Sequence, residues 1–226
     1  MDERSARILE AAIQGYITSG EPVSSGWLFE HYDFGIKPAM IRLELDSLEE
    51  DGYLAQPYHS AGRVPTDLGY EFFAKRALAL GDTRPAMAGP TLRELFEERA
   101  WPDLLARLSA ELGMLSIAAD RAREMVYKAG LEALVAQLNL EDVRDRETLR
   151  AAIHDFERVD ERLPRAAEKM GEGPQVFIGK KSPVTRSEGL SVIGGNYHTG
   201  NTTIAIFAIG PKRMDYKKVI RIFKGL

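Results

Sequence analysis

Between Gly20 and Gly69 the chain alternates apolar periodicity with turn formers so closely that few arrangements remain open to it. Residues 23–32 read as a first helix, 33–36 as a turn with a glycine at Gly35, and 38–50 as a second helix. Pro38 opens the second helix at no hydrogen-bond cost, because the first amides of a helix have no intrahelical acceptor. On that helix Ile41, Leu45 and Leu48 share one face and must point into a core. The opposite face then carries Ala39, Arg42, Leu43 and Asp46, with Met40 and Ser47 at its edge. Residues 53–56 and 63–65 flank a tip at 57–62, which makes a hairpin, and Thr66 is placed to cap a helix running to about Leu80. Upstream, Leu9, Ile13, Tyr16 and Ile17 mark a helix over 5–18. Two helices around a turn, then a hairpin, form the skeleton of a winged helix-turn-helix, an arrangement that reads DNA.

In such a module the first turns of the second helix enter the major groove. Arg42 is the residue best suited to a base edge, since a guanidinium bonds guanine O6 and N7 in bidentate fashion; its alternative is a surface pair with Asp46 one turn on. Leu43, at the centre of the exposed face, can touch a thymine methyl but offers no polar pairing. Lys37 precedes the helix and can reach a phosphate. At the hairpin tip His59, Ser60 and Arg63 are small, polar or cationic, which suits phosphate or the minor groove; otherwise Arg63 pairs with Asp67. Asp67, Gly69 and Tyr70 read as cap, packing and core.

The remainder divides in character. Residues 81–90 are rich in turn formers without periodicity and read as a linker, so the expected organisation is a DNA-binding domain at 1–80, the linker at 81–90 and a second domain at 91–226. Helical pattern runs over 91–113 with an interruption at Trp101-Pro102, then a strand at 114–118 and helices at 125–138 and 146–169. The last third holds β-rich runs at 176–179, 190–194 and 202–209, with Gly194-Gly195-Asn196 and Gly200-Asn201 read as hairpin turns. A closing helix from Asp215 sets Tyr216, Val219, Ile220 and Phe223 on one face and Lys217, Lys218, Arg221 and Lys224 on the other. That cationic face is either solvated or meets the acidic first domain. The fold class expected is α+β with an antiparallel sheet.

Charge is uneven. Residues 1–80 hold 7 Lys/Arg against 13 Asp/Glu, whereas 174–226 hold 9 against 2, within a net charge of −4. The presumed DNA reader is therefore acidic, and its non-specific affinity must rest on a few placed cations. The absence of cysteine excludes disulfides, thiol nucleophiles and thiolate metal sites. The longest apolar run, 204–209, is too short to span a bilayer, and the charged N-terminus is unlike a signal peptide, which together place the chain in the cytoplasm with no membrane partner. No GxxxxGK[ST], HExxH or GxSxG motif occurs and the four histidines stand apart, so neither an enzyme nor a cofactor is expected.

Gly20-Glu21-Pro22-Val23, Pro38-Ala39, Ile41-Arg42, Leu48-Glu49-Glu50, Gly52-Tyr53-Leu54 and, above all, Gln56-Pro57 with Ser60-Ala61-Gly62-Arg63-Val64-Pro65-Thr66-Asp67 and Gly69-Tyr70 carry a specific ordered pattern. Ile209-Gly210-Pro211, Arg213-Met214-Asp215-Tyr216 and Val219-Ile220 continue it at the far end. The chain resembles HrcA, the heat-inducible transcription repressor family of bacteria. The resemblance implies a GAF-like second domain, here trimmed near Ala119 to Arg123, where relatives carry an inserted dimerisation element. It further implies a homodimer on an inverted-repeat operator of double-stranded DNA ahead of heat-shock chaperone operons, with repression restored by the GroEL-type chaperonin. A regulator of the same fold with a changed operator and signal, and an interaction module that no longer binds DNA, stand as alternatives. Relatives usually have serine, threonine and asparagine where this chain has Lys37, Met40 and Leu43, and arginine where it has Gly26.

Overall fold

A computed structural model describes residues 1–79 and 90–226, so the linker expected at 81–90 lies outside the described residues except for Pro90, which opens a helix. The chain divides into two compact units, Met1–Arg76 and Ala77–Leu226.

The first unit is built from α1 (Glu3–Ser19), α2 (Ser25–His31), α3 (Pro38–Glu50), the short strands β1 (Leu54–Ala55) and β2 (Val64–Pro65), and α4 (Asp67–Ala79). Asp2 starts α1 by accepting a bond from the Ser5 amide at 2.8 Å, and Gly20 ends it in the left-handed region at φ 74. Ser24 caps α2 in the same way, through the Trp27 amide at 3.1 Å. Ile8, Leu9 and Ile13 of α1, Leu28 of α2, and Ile41, Leu45 and Leu48 of α3 are buried together with Leu54, Tyr70 and Phe73. The apolar face expected for α3 is the one that is buried. Thr66 Oγ1 accepts from the Gly69 amide at 3.2 Å and so opens α4. Arg76 of α4 pairs with Glu3 at 2.8 Å and with Glu10, tying that helix back to α1.

The second unit continues with α5 (Pro90–Glu97), α6 (Trp101–Leu112), β3 (Leu115–Asp120), β4 (Met125–Ala129), α7 (Leu131–Ala136) and α8 (Val143–Lys169). After these come β5 (Gln175–Ile178), a single 3₁₀ turn, β6 (Leu190–Thr199), β7 (Thr202–Pro211) and α9 (Tyr216–Lys224). The five strands form one antiparallel sheet in the order β4-β3-β7-β6-β5. Leu115, Ile117, Val192, Ala205, Phe207 and Ile209 face α8, packing on its Ala152, Val159, Leu163 and Ala166. The alternate residues face α6 and α9: Trp101 Nε1 donates to Asp120 at 3.3 Å, and Tyr216 shares a 2.9 Å bond with Ser191. Because helices cover both faces, Ile204 to Ile209 of β7 is buried without alternation, which is why it reads as an unbroken apolar run. Phe96, Trp101, Tyr197 and Phe223 make edge-to-face ring contacts on the α6 and α9 side, and burial holds the Tyr197 phenol above its ordinary range.

Two sequence expectations are corrected. The helix expected over 125–138 is instead strand β4 followed by α7. Residues 125–129 pair with β3 in the register Ser116↔Ala129 to Asp120↔Met125, and Gly130, at φ 88, separates strand from helix. A short, partly apolar segment carries no decisive periodicity, and sheet pairing settles it. Likewise Gly194-Gly195-Asn196 is no turn but the middle of β6. A side chain at Gly195 would sit 1.8 Å from the Gly173 carbonyl, so the glycine lets that segment cross the strand, where the Asn196 amide donates to Gly171 O at 3.0 Å. Gly200-Asn201 does form the two-residue turn, between β6 and β7.

Candidate nucleic-acid interface

Lys37 occupies the cap position of α3 with extended backbone (φ −77, ψ 158), yet its side chain makes no capping bond. Pro38 fills the first helical position. From there Ala39, Met40, Arg42, Leu43 and Ser47 project outward; Met40 is 46% and Leu43 60% exposed. Among the described residues Lys37 and Arg42 form no ion pair. The alternative pairing of Arg42 with Asp46 is not formed, because Asp46 is turned to the other flank of the helix.

There it meets the loop between β1 and β2. Arg63 Nη2 donates to Asp46 Oδ1 at 2.6 Å, and its Nε lies 2.8 Å from Glu49 Oε2. The Arg63 side chain is only 13% exposed. This corrects the expectation that Arg63 is presented at the tip with His59 and Ser60: it lies at the base of the hairpin against α3. The tip itself is exposed, with His59 and Ser60 open to solvent, Ser60 in the left-handed region at φ 68, and Tyr58 68% exposed. Tyr58 is the tip residue that the sequence reading passed over; an aromatic between Pro57 and His59 in a loop too short to bury it was the available signal.

The loop is tied down at several points. Gln56 Nε2 donates to Ala61 O at 2.9 Å, the Gln56 amide donates to Glu49 Oε1 at 3.1 Å, and the Ala61 amide closes a turn on Tyr58 O at 3.0 Å. Val23 and Arg63 exchange backbone bonds at 2.9 and 2.8 Å. A side chain at Gly62 would lie 2.5 Å from the Val23 carbonyl carbon, so only glycine lets the loop approach the start of α2. Elsewhere Glu44 of α3 accepts from Arg4 at 2.8 Å and from Ser5 Oγ at 2.7 Å. Three of the acids on α3 are thus engaged by partners, and its outward face keeps two cations and two large apolar side chains. That surface can bond phosphate and base edges and make methyl contacts.

A family model described as the HrcA protein C terminal domain matches residues 78–220. The chain belongs to the HrcA family. Relatives named heat-inducible transcription repressor HrcA include the protein of Kineococcus radiotolerans, 34% identical over 162 residues, which are 72% of this chain and 46% of the relative. That of Streptomyces avermitilis is 31% identical over 174 residues, 76% of this chain and 50% of the relative, and that of Beutenbergia cavernae 47% identical over 85 residues, 38% and 24%. The chain spans about half the length, or less, of these HrcA relatives. A solved crystal structure of a hypothetical protein shares the fold, with a TM-score of 0.77 at 20% identity, covering 99% of this chain and 95% of its own. No helix among the described residues is long and apolar enough to cross a membrane.

Proposed function

We propose that the first unit is a winged helix, with α3 as recognition helix and the β1–β2 loop as wing, and that it binds an inverted-repeat operator as a homodimer to repress heat-shock chaperone genes. The observation that supports this reading is the outward face of α3: among the described residues Lys37 and Arg42 form no ion pair and stand beside Met40 and Leu43, on the helix whose other flank holds the wing. Repression is by occupancy of the operator and involves no chemistry. Arg42 reads a guanine edge, Lys37 and Ser47 meet the backbone, Ala39, Met40 and Leu43 pack on thymine methyls, and His59 and Ser60 approach the flanking sugar-phosphate. The second unit, a trimmed GAF-like α+β domain, carries the response to heat and to the GroEL-type chaperonin.

Selection of duplexes from randomised DNA tests the reading. The native chain is expected to return an inverted repeat, and the repeat is expected upstream of chaperone genes. Recovery of no shared sequence at low salt would replace this reading with that of an interaction module.

A further inference from the structure

The cation at the base of the wing, Arg63, is held by two carboxylates of α3. Arg63 is 13% exposed, its Nη2 lies 2.6 Å from Asp46, and its Nε lies 2.8 Å from Glu49. Glu49 uses its second oxygen on the Gln56 amide, at 3.1 Å, while Gln56 holds Ala61 at 2.9 Å and the Arg63 backbone is bridged to Val23. A guanidinium between two carboxylates has little positive potential left for a third anion, and drawing it to a phosphate would strand Asp46 and Glu49 beside DNA without a counter-charge. Its planar fork, however, fixes the angle between the two elements it joins, which a flexible ammonium does less well.

On the winged-helix reading above, we infer that Arg63 is a positioning residue that makes no DNA contact. It clamps the wing to α3 through Asp46 and Glu49, so that the tip presents Tyr58, with His59 and Ser60, to the DNA backbone. Tyr58 is thereby an added contact. Its ring is exposed, it lies on the same turn as the left-handed Ser60, and its carbonyl accepts from Ala61, which holds it outward. The wing reaches DNA with hydroxyl and imidazole groups and without a fixed charge.

The inference and a phosphate-contact role for Arg63 predict opposite signs. Removing an acid beside DNA strengthens binding electrostatically, whereas removing half of a clamp weakens it. Binding to the inverted repeat selected by the native chain is measured by fluorescence anisotropy across a salt series for Asp46→Asn, Arg63→Ala, Arg63→Lys and Tyr58→Ala. The clamp predicts about tenfold weaker binding for Asp46→Asn and for Arg63→Ala with unchanged log–log salt slopes, and only partial rescue by lysine. Hydrogen exchange of the amides at 56–63 should quicken in both of those variants. Tyr58→Ala should weaken binding and leave that exchange as it is. Tighter binding by Asp46→Asn, together with a slope shallower by about 1.8 for Arg63→Ala, the signature of one lost phosphate per chain of the dimer, would overturn the inference. If the native chain binds no duplex selectively, the functional reading falls while the clamp is still decided by exchange: native-like protection of 56–63 in Arg63→Ala would overturn it.

Discussion

On the proposed function Lys37 meets two demands of opposite sign. At the cap of α3 a hydroxyl would accept from an amide of the first turn, and the lysine makes no such bond. Lys37→Ser should therefore raise the unfolding free energy by about 1 kcal/mol in urea titrations, while weakening DNA binding through the loss of a cation. The same position cannot optimise both, and a variant that gains in both assays would show that Lys37 does not approach DNA. Leu43 makes a separate statement. It is 60% exposed, and an apolar side chain of that size is left at the centre of the outward face with only methyl contact to offer. Leu43→Asn is expected to shift the sequence selected from randomised DNA towards adenine at one position of each half-site, by about 1–3 kcal/mol of discrimination. Identical motifs from both proteins would mean that position 43 faces away from the bases. Apart from Asp46, which is turned to Arg63, the outward set on α3 was legible because the 3.6-residue period leaves no other face once Ile41, Leu45 and Leu48 are inside. The partners of Arg63 were not. Asp46 is 17 residues away across a hairpin, and such a contact is fixed by the closing of the loop and by no local spacing.

Among the elements, α9 was the most readable: Asp215 caps it at 3.0 Å through the Lys218 amide, and Val219, Ile220 and Phe223 are buried as the pattern requires. Its cationic face is partly engaged within the second unit, since Lys218 Nζ donates to Glu111 O at 2.7 Å, close to the C-terminal end of α6 where a cation is favoured. Tyr216 anchors the helix to the sheet by donating to Lys212 O at 2.8 Å and bonding the fully buried Ser191 hydroxyl. Tyr216→Phe keeps the ring but strands these partners, so it should lower stability by about 1–3 kcal/mol in chemical denaturation. β4 was illegible for a physical reason: Met125 to Ala129 is too short to declare a period, and its strand state comes from pairing with β3. The α1–α4 contact adds a pH dependence. The Arg76 guanidinium, bonded to Glu3, holds that carboxyl below its ordinary value of 4.5. A carboxyl depressed in the folded state contributes stability that is complete above its unfolded value and is lost as pH falls through the folded one. The urea midpoint of the first unit should therefore fall on acidification from about pH 5, less steeply at high salt because the pair is exposed. Glu3→Gln should flatten that fall, and an unchanged profile would remove the pair from the account.

For the whole molecule the proposed function raises the question of how an acidic domain would approach DNA. The ion pairs show where part of that charge is held: Glu3 and Glu10 share Arg76, Asp46 and Glu49 share Arg63, and Glu44 meets Arg4, so these five carboxylates are turned to cations and not to the outward face of α3, although three arginines balance only three of them. The same pairing engages Arg4, Arg63 and Arg76, and among the described residues Lys37 and Arg42 remain on that face. With about 0.9 counterions released per phosphate neutralised, each winged helix should give a log–log salt slope near −2, and a dimer on an inverted repeat near −4. A palindromic site demands two-fold symmetry, so the two measurements are linked. Light scattering in the presence of operator should report two chains per duplex wherever the slope is near −4. A chain that remains monomeric with and without operator would defeat the homodimer. A slope steeper than about −5 for a confirmed dimer would mean that a third cation per chain reaches phosphate, with Arg63 the first to be examined.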